Sequence, residues 1–139
     1  MTHTLTIIKP DAFASGKAGR IIAHLEDAGF ELVAARVLHL SRAEAEAFYA
    51  VHRDRPFFGS LVEFMTSGPC MPMVLRRRDA VKELRRVIGA TDPAEAEEGT
   101  VRALYAESKE RNAIHASDSD ENAAVEAGFF FPRTEWLGD

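Results

Sequence analysis

Asn112-Ala113-Ile114-His115-Ala116-Ser117-Asp118-Ser119 sets one histidine directly after a short apolar run and just before a cluster of small hydroxyl and carboxylate residues. An imidazole fixed by such neighbours can serve as a nucleophile if one ring nitrogen is free and an acceptor holds the other in a single tautomer. Glu126, in the stretch that reads as the following helix, is the acceptor this requires, and Ser119 is placed to orient it. The remaining histidines, His3, His24, His39 and His52, lie among ordinary packing and surface patterns and take no chemical role.

A group transferred to histidine without other covalent chemistry points to phosphate, whose transfer needs cations and donors around the equatorial oxygens. Lys9 emerges at a strand terminus, Arg85 lies on the exposed side of a helix, Thr91 stands just past that helix, and Arg102 follows Gly99-Thr100 in a long loop. Arginine suits the task because its planar fork offers paired donors. Neither a Walker A sequence nor a kinase-type glycine-rich loop is present, so these groups do not belong to either common nucleotide motif.

The elements that must position these residues follow from periodicity. Leu5-Thr6-Ile7-Ile8 reads as a strand stopped at Lys9-Pro10-Asp11. Ile21, Ile22, Leu25 and Ala28 give a helical stripe closed by Gly29, and Phe30 to Leu40 reads as a second strand. Ser41-Arg42-Ala43-Glu44 is a capping box, opening a helix with Ala47, Phe48 and Val51 on one face. Arg55-Pro56-Phe57-Phe58-Gly59 breaks it, and Leu61, Val62, Phe64 and Met65 begin another. Met71 to Leu75 reads as a third strand, and Asp79 as the N-cap of a helix carrying Val81, Leu84 and Ile88 and ending at Gly89. Thr91 to Arg111 has no steady period and reads as a long ordered loop with short helical pieces. Ala113-Ile114-His115 is a fourth strand, and the last helix starts near Ser119. The order predicts an α+β fold, a ferredoxin-like βαββαβ sandwich with an antiparallel four-stranded sheet, extra helices and a long loop.

Composition sets the outer bounds. At 139 residues, with 46% hydrophobic and 28% charged residues, the chain reads as a single domain over residues 1–139. The lone Cys70 excludes an internal disulfide framework and a cysteine-built metal site, and fits a reducing compartment. No signal-peptide pattern or apolar run of the ~20 residues a membrane span needs is present, which gives a cytoplasmic expectation and no membrane partner. A net charge of -5 makes nucleic acid an unsuitable main partner. The cluster Arg76, Arg77, Arg78, Lys82, Arg85 and Arg86 suits a small anion or simply a solvated face.

With these residues in place, the chain resembles the nucleoside diphosphate kinase family over essentially its whole length. The resemblance is carried by Ile8-Lys9-Pro10-Asp11, Phe48-Tyr49-Ala50-Val51-His52, Arg55-Pro56-Phe57-Phe58, Ser67-Gly68-Pro69, Gly89-Ala90-Thr91-Asp92-Pro93, Gly99-Thr100-Val101-Arg102 and Asn112 to Ser119, in family order and spacing. It implies a ping-pong exchange in which a nucleoside triphosphate phosphorylates His115 and a nucleoside diphosphate collects the group. It further implies attack through Nδ1 with Glu126 on the other nitrogen, and phosphate and ribose contacts from Lys9, Tyr49, Arg85, Thr91, Arg102 and Asn112. Phe57 matches the aromatic on which the base stacks, a sequence-tolerant contact because every base has a π-face. Mg2+ would arrive bridging the nucleotide's own phosphates, with no direct protein ligand and Asp118 reaching it through water. The family assembles as homo-oligomers, tetramers or hexamers.

Several positions depart from the family pattern. Ala12 and Ala116 replace glycines, and Ala103-Leu104-Tyr105 replaces Gly-Asp-Phe. Lys109 stands where an aliphatic residue usually covers the base, and Arg76-Arg77-Arg78 replaces a segment with an acidic residue and glycine. None of these touches the matched catalytic set. Two other readings compete: a relative that binds nucleotides without turning them over, and a ligand-sensing domain on the same ferredoxin-like plan.

Overall fold

The computed structural model describes residues 2–137. In chain order its elements are β1 (His3–Ile8), α1 (Pro10–Ala14), α2 (Ala18–Asp27), β2 (Glu31–Ala35), α3 (Arg42–Phe48), a 3-10 turn (Ala50–His52), α4 (Phe58–Met65), β3 (Met71–Arg76), α5 (Ala80–Ile88), α6 (Val101–Tyr105), β4 (Ile114–Ala116), α7 (Asp120–Phe130) and a 3-10 turn (Arg133–Glu135). The four strands form one sheet in the order β2-β3-β1-β4 with every pair antiparallel, as the ferredoxin-like reading expects.

Both faces of this sheet are covered, which explains why every residue of β1, Thr4 and Thr6 included, is buried and why β3 reads as an apolar run from Met71 to Leu75. Leu5 and Ile7 of β1 pack with Leu40 and Tyr49, which flank α3, and with Val62, Met65 and Phe130 from α4 and α7. Ile8, on the opposite side of the pleat, packs with Ile21, Leu25, Leu84, Ile88 and Val101 from α2, α5 and α6. Each of the fully buried Ile and Leu side chains contributes about 1.5–3 kcal/mol of transfer free energy. Among the described residues no helix is long and apolar enough to cross a membrane.

Several local expectations hold in atomic detail. The Ser41 capping box is complete: the Glu44 N–H donates to Ser41 Oγ at 3.1 Å and the Ser41 N–H to Glu44 Oε1 at 2.8 Å. Gly29 follows α2 at φ 95°, with Phe30 N–H on Leu25 O at 3.1 Å and Gly29 N–H on Glu26 O at 3.0 Å, the paired bonds of a Schellman end. Two members of the arginine run stitch β3 to this end. Arg77 donates to Ala28 O at 2.6 Å and lies 5.3 Å over the Phe30 ring, and Arg76 pairs with Glu31 at 2.6 Å.

Other expectations are corrected. The second strand stops at Ala35, short of Leu40, after a bulge between Leu32 and Ala34. Arg36 N–H still bonds Pro72 O at 3.2 Å, but Pro72 has no N–H to return, and the chain regains β3's line only at the Leu38–Cys70 bridge. Pro10, expected only to stop a strand, occupies the first position of an extra helix, α1, where its missing N–H costs nothing. Val51 is 84% exposed and Ala47 is exposed, while Ala45 and Tyr49 are buried. The expected face fails because α3 gives way to a 3-10 turn after Phe48, which rotates Val51 out of the helical stripe. Asp79 is the N-cap of α5, its carbonyl accepting the Glu83 N–H at 2.9 Å, but it sits left-handed at φ 52°, ψ 45° and its side chain makes no capping bond.

Candidate active site

The strand register assembles the site at one end of the sheet. Ile8 pairs with Ile114 and Ile7 with His115, so β4 runs back alongside the end of β1. Lys9 N–H extends the ladder by one bond, to Ala113 O at 2.9 Å, and this brings Lys9 Nζ to 2.9 Å from Asn112 Oδ1. Opposite Ile7, the His115 side chain shares the face of α3 and α7, and its carbonyl accepts a 2.6 Å bond from buried Thr6 Oγ1.

His115 Nε2 lies 2.8 Å from Glu126 Oε1 of α7. A carboxylate oxygen can only accept, so the hydrogen sits on Nε2 and the lone pair of the neutral ring sits on Nδ1. The same Glu126 oxygen accepts from Ser117 Oγ at 2.7 Å. Ser117, and not Ser119, therefore orients the carboxylate; Ser119 is the N-cap of α7, accepting Asn122 N–H at 3.1 Å. The ring is flanked edge-on by Phe48, at 5.5 Å, and Tyr49, at 6.2 Å between centroids. From Tyr49 a line of aromatic contacts runs outward through His52, at 6.5 Å, to Phe57, at 5.4 Å from His52 and 46% exposed.

Arg102 connects this group to a hollow of about 370 Å³ lined by residues including Arg85, Gly89, Thr91, Thr100 and Arg102. Its guanidinium donates to Gly89 O at 3.0 Å, Ile114 O at 2.7 Å and, more weakly, Asn112 O at 3.4 Å. The fork expected to face phosphate thus also ties the end of α5 to the turn before His115. Exposed Arg85 lines a second hollow too, of about 310 Å³, with Asp118, Asp79 and Asp120 on its rim. Asp118 accepts from Asn122 Nδ2 at 2.6 Å, which holds its carboxyl below the usual range, with Arg85 adding to the effect. Lys109 is exposed, and the methyls of Ala12 and Ala116 sit in the core beneath the site.

Burial sets the electrostatics. Lys9 is pulled down to about 8 by desolvation first and by Arg102 second, with Asp11 opposing. Arg102 is pulled down to about 10 by burial and then by Arg85. Tyr49 is driven far above the ordinary phenol range by burial and by Glu126. Its buried hydroxyl, unbonded among the described residues, is a neutral donor. Lys9 and Arg102, both held at the turn before His115, and the unbonded hydroxyl of Tyr49, whose ring lies edge-on to the imidazole, suit an anion at this end of the sheet.

Gly89, Ser117, Phe48 and Asp11 are parts of this arrangement that spacing alone did not single out as site residues. Gly89 was legible only as a helix end. Its φ is 89°, and a Cβ there would stand 2.5 Å from Thr100 Oγ1 and 2.8 Å from Thr100 Cβ. Thr100 cannot yield, because it is buried and its hydroxyl caps α6. Gly89→Ala is expected to cost about 2–4 kcal/mol, combining left-handed strain with overpacking, and to weaken nucleotide binding. Denaturant unfolding beside a KM measurement checks both effects; unchanged stability removes the argument.

Sheet order, helices on both faces and a carboxylate-held imidazole define an α+β protein with one ring nitrogen left to act as a nucleophile. A family model described as "Nucleoside diphosphate kinase" matches residues 2–136. The nucleoside diphosphate kinase of Chlorobium chlorochromatii (strain CaD3) is 58% identical over 135 residues, 97% of this chain and 96% of that one. That of Salinibacter ruber is 51% identical over 133 residues, 96% of this chain and 94% of its own length. Among solved structures, the Aquifex aeolicus nucleoside diphosphate kinase superposes with a TM-score of 0.94 at 44% identity, covering 96% of this chain and 97% of that one. A halophilic nucleoside diphosphate kinase from Halobacterium salinarum, solved in complex with CDP, gives 0.90 at 36% identity over 96% of this chain and 89% of its own. The chain belongs to the nucleoside diphosphate kinase family, enzymes that move phosphoryl groups between nucleotides.

Proposed function

We propose that the chain, working as one domain over residues 1–139, passes the terminal phosphoryl group of a nucleoside triphosphate to a nucleoside diphosphate through a phosphorylated His115. The observation that carries this reading is the 2.8 Å bond from His115 Nε2 to Glu126, which leaves Nδ1 to act as the nucleophile. In the first half-reaction the Nδ1 lone pair forms a bond to the γ-phosphorus as the bond to the β-γ bridging oxygen breaks. The diphosphate leaves, and the ring keeps its Nε2 proton on Glu126. The second half-reaction reverses these steps with another diphosphate in the same place. Glu126 stabilises the positive charge that develops on the ring, while Lys9, Arg85, Arg102 and the Tyr49 hydroxyl meet the charge on the transferring oxygens. Asn112 and Thr91 hold phosphate and ribose, Phe57 carries the base, and the Lys109 stem covers its other side.

A nucleotide-borne Mg2+ fits these residues. Asp118 is an exposed carboxylate on the rim of a hollow it shares with Arg85, and magnesium prefers to keep waters between itself and one or two carboxylates. Bound with the nucleotide, the ion would neutralise charge on the β- and γ-oxygens. We further assign the protein to homo-oligomers, tetrameric or hexameric, in the cytoplasm, where a buried Cys70 thiol, raised to about 11 by burial, stays reduced.

Incubation with terminally labelled nucleoside triphosphate tests the reading. The protein is expected to take up an acid-labile, base-stable label that an unlabelled nucleoside diphosphate then removes as triphosphate. Absence of label, or a label stable to acid, refutes it.

A further inference from the structure

Asp11 lies outside the proposed phosphate-binding set, yet it is 4% exposed and points its carboxylate at the turn that precedes His115. Its Oδ2 accepts the Ala113 N–H at 3.0 Å, while Oδ1 is buried and makes no hydrogen bond among the described residues. A buried carboxylate with half its oxygens unmatched opposes folding. The residue it touches is strained as well. Ala113 is fully buried at φ 75°, and the Ile114 N–H closes a tight turn onto Asn112 O at 2.9 Å. That is the γ-turn geometry that non-glycine residues rarely adopt. Such a conformation persists only where its surroundings over-determine it.

The restraints on this turn can be counted off from three directions. Asp11 of α1 holds the Ala113 N–H, the Lys9 N–H holds its carbonyl at 2.9 Å, and Arg102 of α6 holds the carbonyls on either side. The peptide groups of Lys9 and the side chain of Arg102 are tied to other duties in the sheet and the hollow. Asp11 makes no other side-chain bond. Asn112 sits on one side of the turn, against Lys9 Nζ, and His115 enters β4 on the other.

We propose that Asp11 is a positioning residue: by holding the Ala113 N–H it enforces the strained turn that sets Asn112 against Lys9 and fixes the approach of His115. This rests on the reading of His115 as the phosphorylated group. The base contact, Phe57, lies elsewhere and Asn112 is one of six phosphate and ribose contacts, so the effect falls mainly on the chemical step and less on nucleotide affinity.

The test is a cycle of Asp11→Ala, Ala113→Gly and the double variant, read as kcat and KM for a nucleoside diphosphate. Asp11→Ala is expected to lower kcat by roughly tenfold or more with KM moved less than about threefold. Ala113→Gly in that background is expected to restore most of the loss, because glycine takes φ near +75° without being held there. A structural role for Asp11 would not be rescued this way. If Asp11→Ala does not fold, the same comparison is made from Asp11→Asn, which keeps an acceptor and should lose less. Wild-type kcat in Asp11→Ala, or no recovery on adding Ala113→Gly, overturns the proposal. Wild-type protein that takes up no phosphate overturns instead the reading of His115.

Discussion

Replacing His115 by alanine is expected to lower kcat by roughly 10⁴-fold or more and to leave no labelled protein intermediate. The size follows from the removal of the group proposed to form the covalent bond; among the described residues the Glu126 carboxylate is shared only with the Ser117 hydroxyl that orients it. The fold should survive. His115 is half-buried, its backbone pairing with Ile7 does not involve the ring, and Glu126 keeps Ser117 as a donor. Loss of the Nε2 hydrogen bond costs about 1 kcal/mol of stability. Steady-state turnover, measured with the unfolding midpoint as control, decides the matter. Turnover near wild type would show that the phosphoryl group passes directly between nucleotides. Glu126→Gln should fall between the two, because the amide can still accept from Nε2–H but no longer offsets the charge that grows on the ring.

The second large effect belongs to Lys9. Lys9→Ala is expected to lower kcat/KM by about 10²–10³, the loss typical of removing one aimed donor from a water-poor site. The same ammonium predicts a pH limb. Its proton is held only up to about pH 8 in the free protein, because burial and Arg102 disfavour the charge. Activity that needs the charged form should therefore decline in kcat/KM as pH rises through about 8, and the limb should vanish in Lys9→Ala. Stability moves the other way. The unfolded lysine holds its proton to about 10.5, so the unfolded chain binds more protons between these values and the folded state gains stability as pH rises across that window. A flat kcat/KM profile from pH 7 to 10 would remove Lys9 from the phosphate-binding group. The fall in activity beside a rise in stability separates this cause from alkaline unfolding.

The chain's local rules were readable without coordinates. Hydrophobic period marked the strands around Ile7, Val74 and Ile114, the Ser41 capping box and Gly29 fixed two helix ends, and two of the seven family segments held Phe48, Tyr49 and Ser117, which stand around His115 and Glu126. These are short-range features, set by side-chain type and spacing within a turn or two, and one-dimensional patterns carry them faithfully. Boundaries were read less well where a partner decided them. The second strand ends where Pro72 of β3 fails to return a hydrogen bond, a fact absent from the second strand's own residues. Val51 left the core because a 3-10 turn intervened after Phe48.

What the sequence determined by itself is therefore the set of elements, the α+β class and the His115–Glu126 pair proposed as nucleophile and acceptor. Tertiary structure alone decided who orients whom. Ser117 reaches Glu126 because β4 and α7 meet at an angle that spacing does not specify. Arg102 binds three carbonyls because α6 lies across the end of β4, and Gly89 must lack a side chain because Thr100 packs against it. Asp11 meets Ala113 across 102 positions of sequence. Hydrogen bonds and close contacts between distant segments depend on positions to within a fraction of an ångström, and that precision exists only once the sheet and its two helical layers have closed around the core.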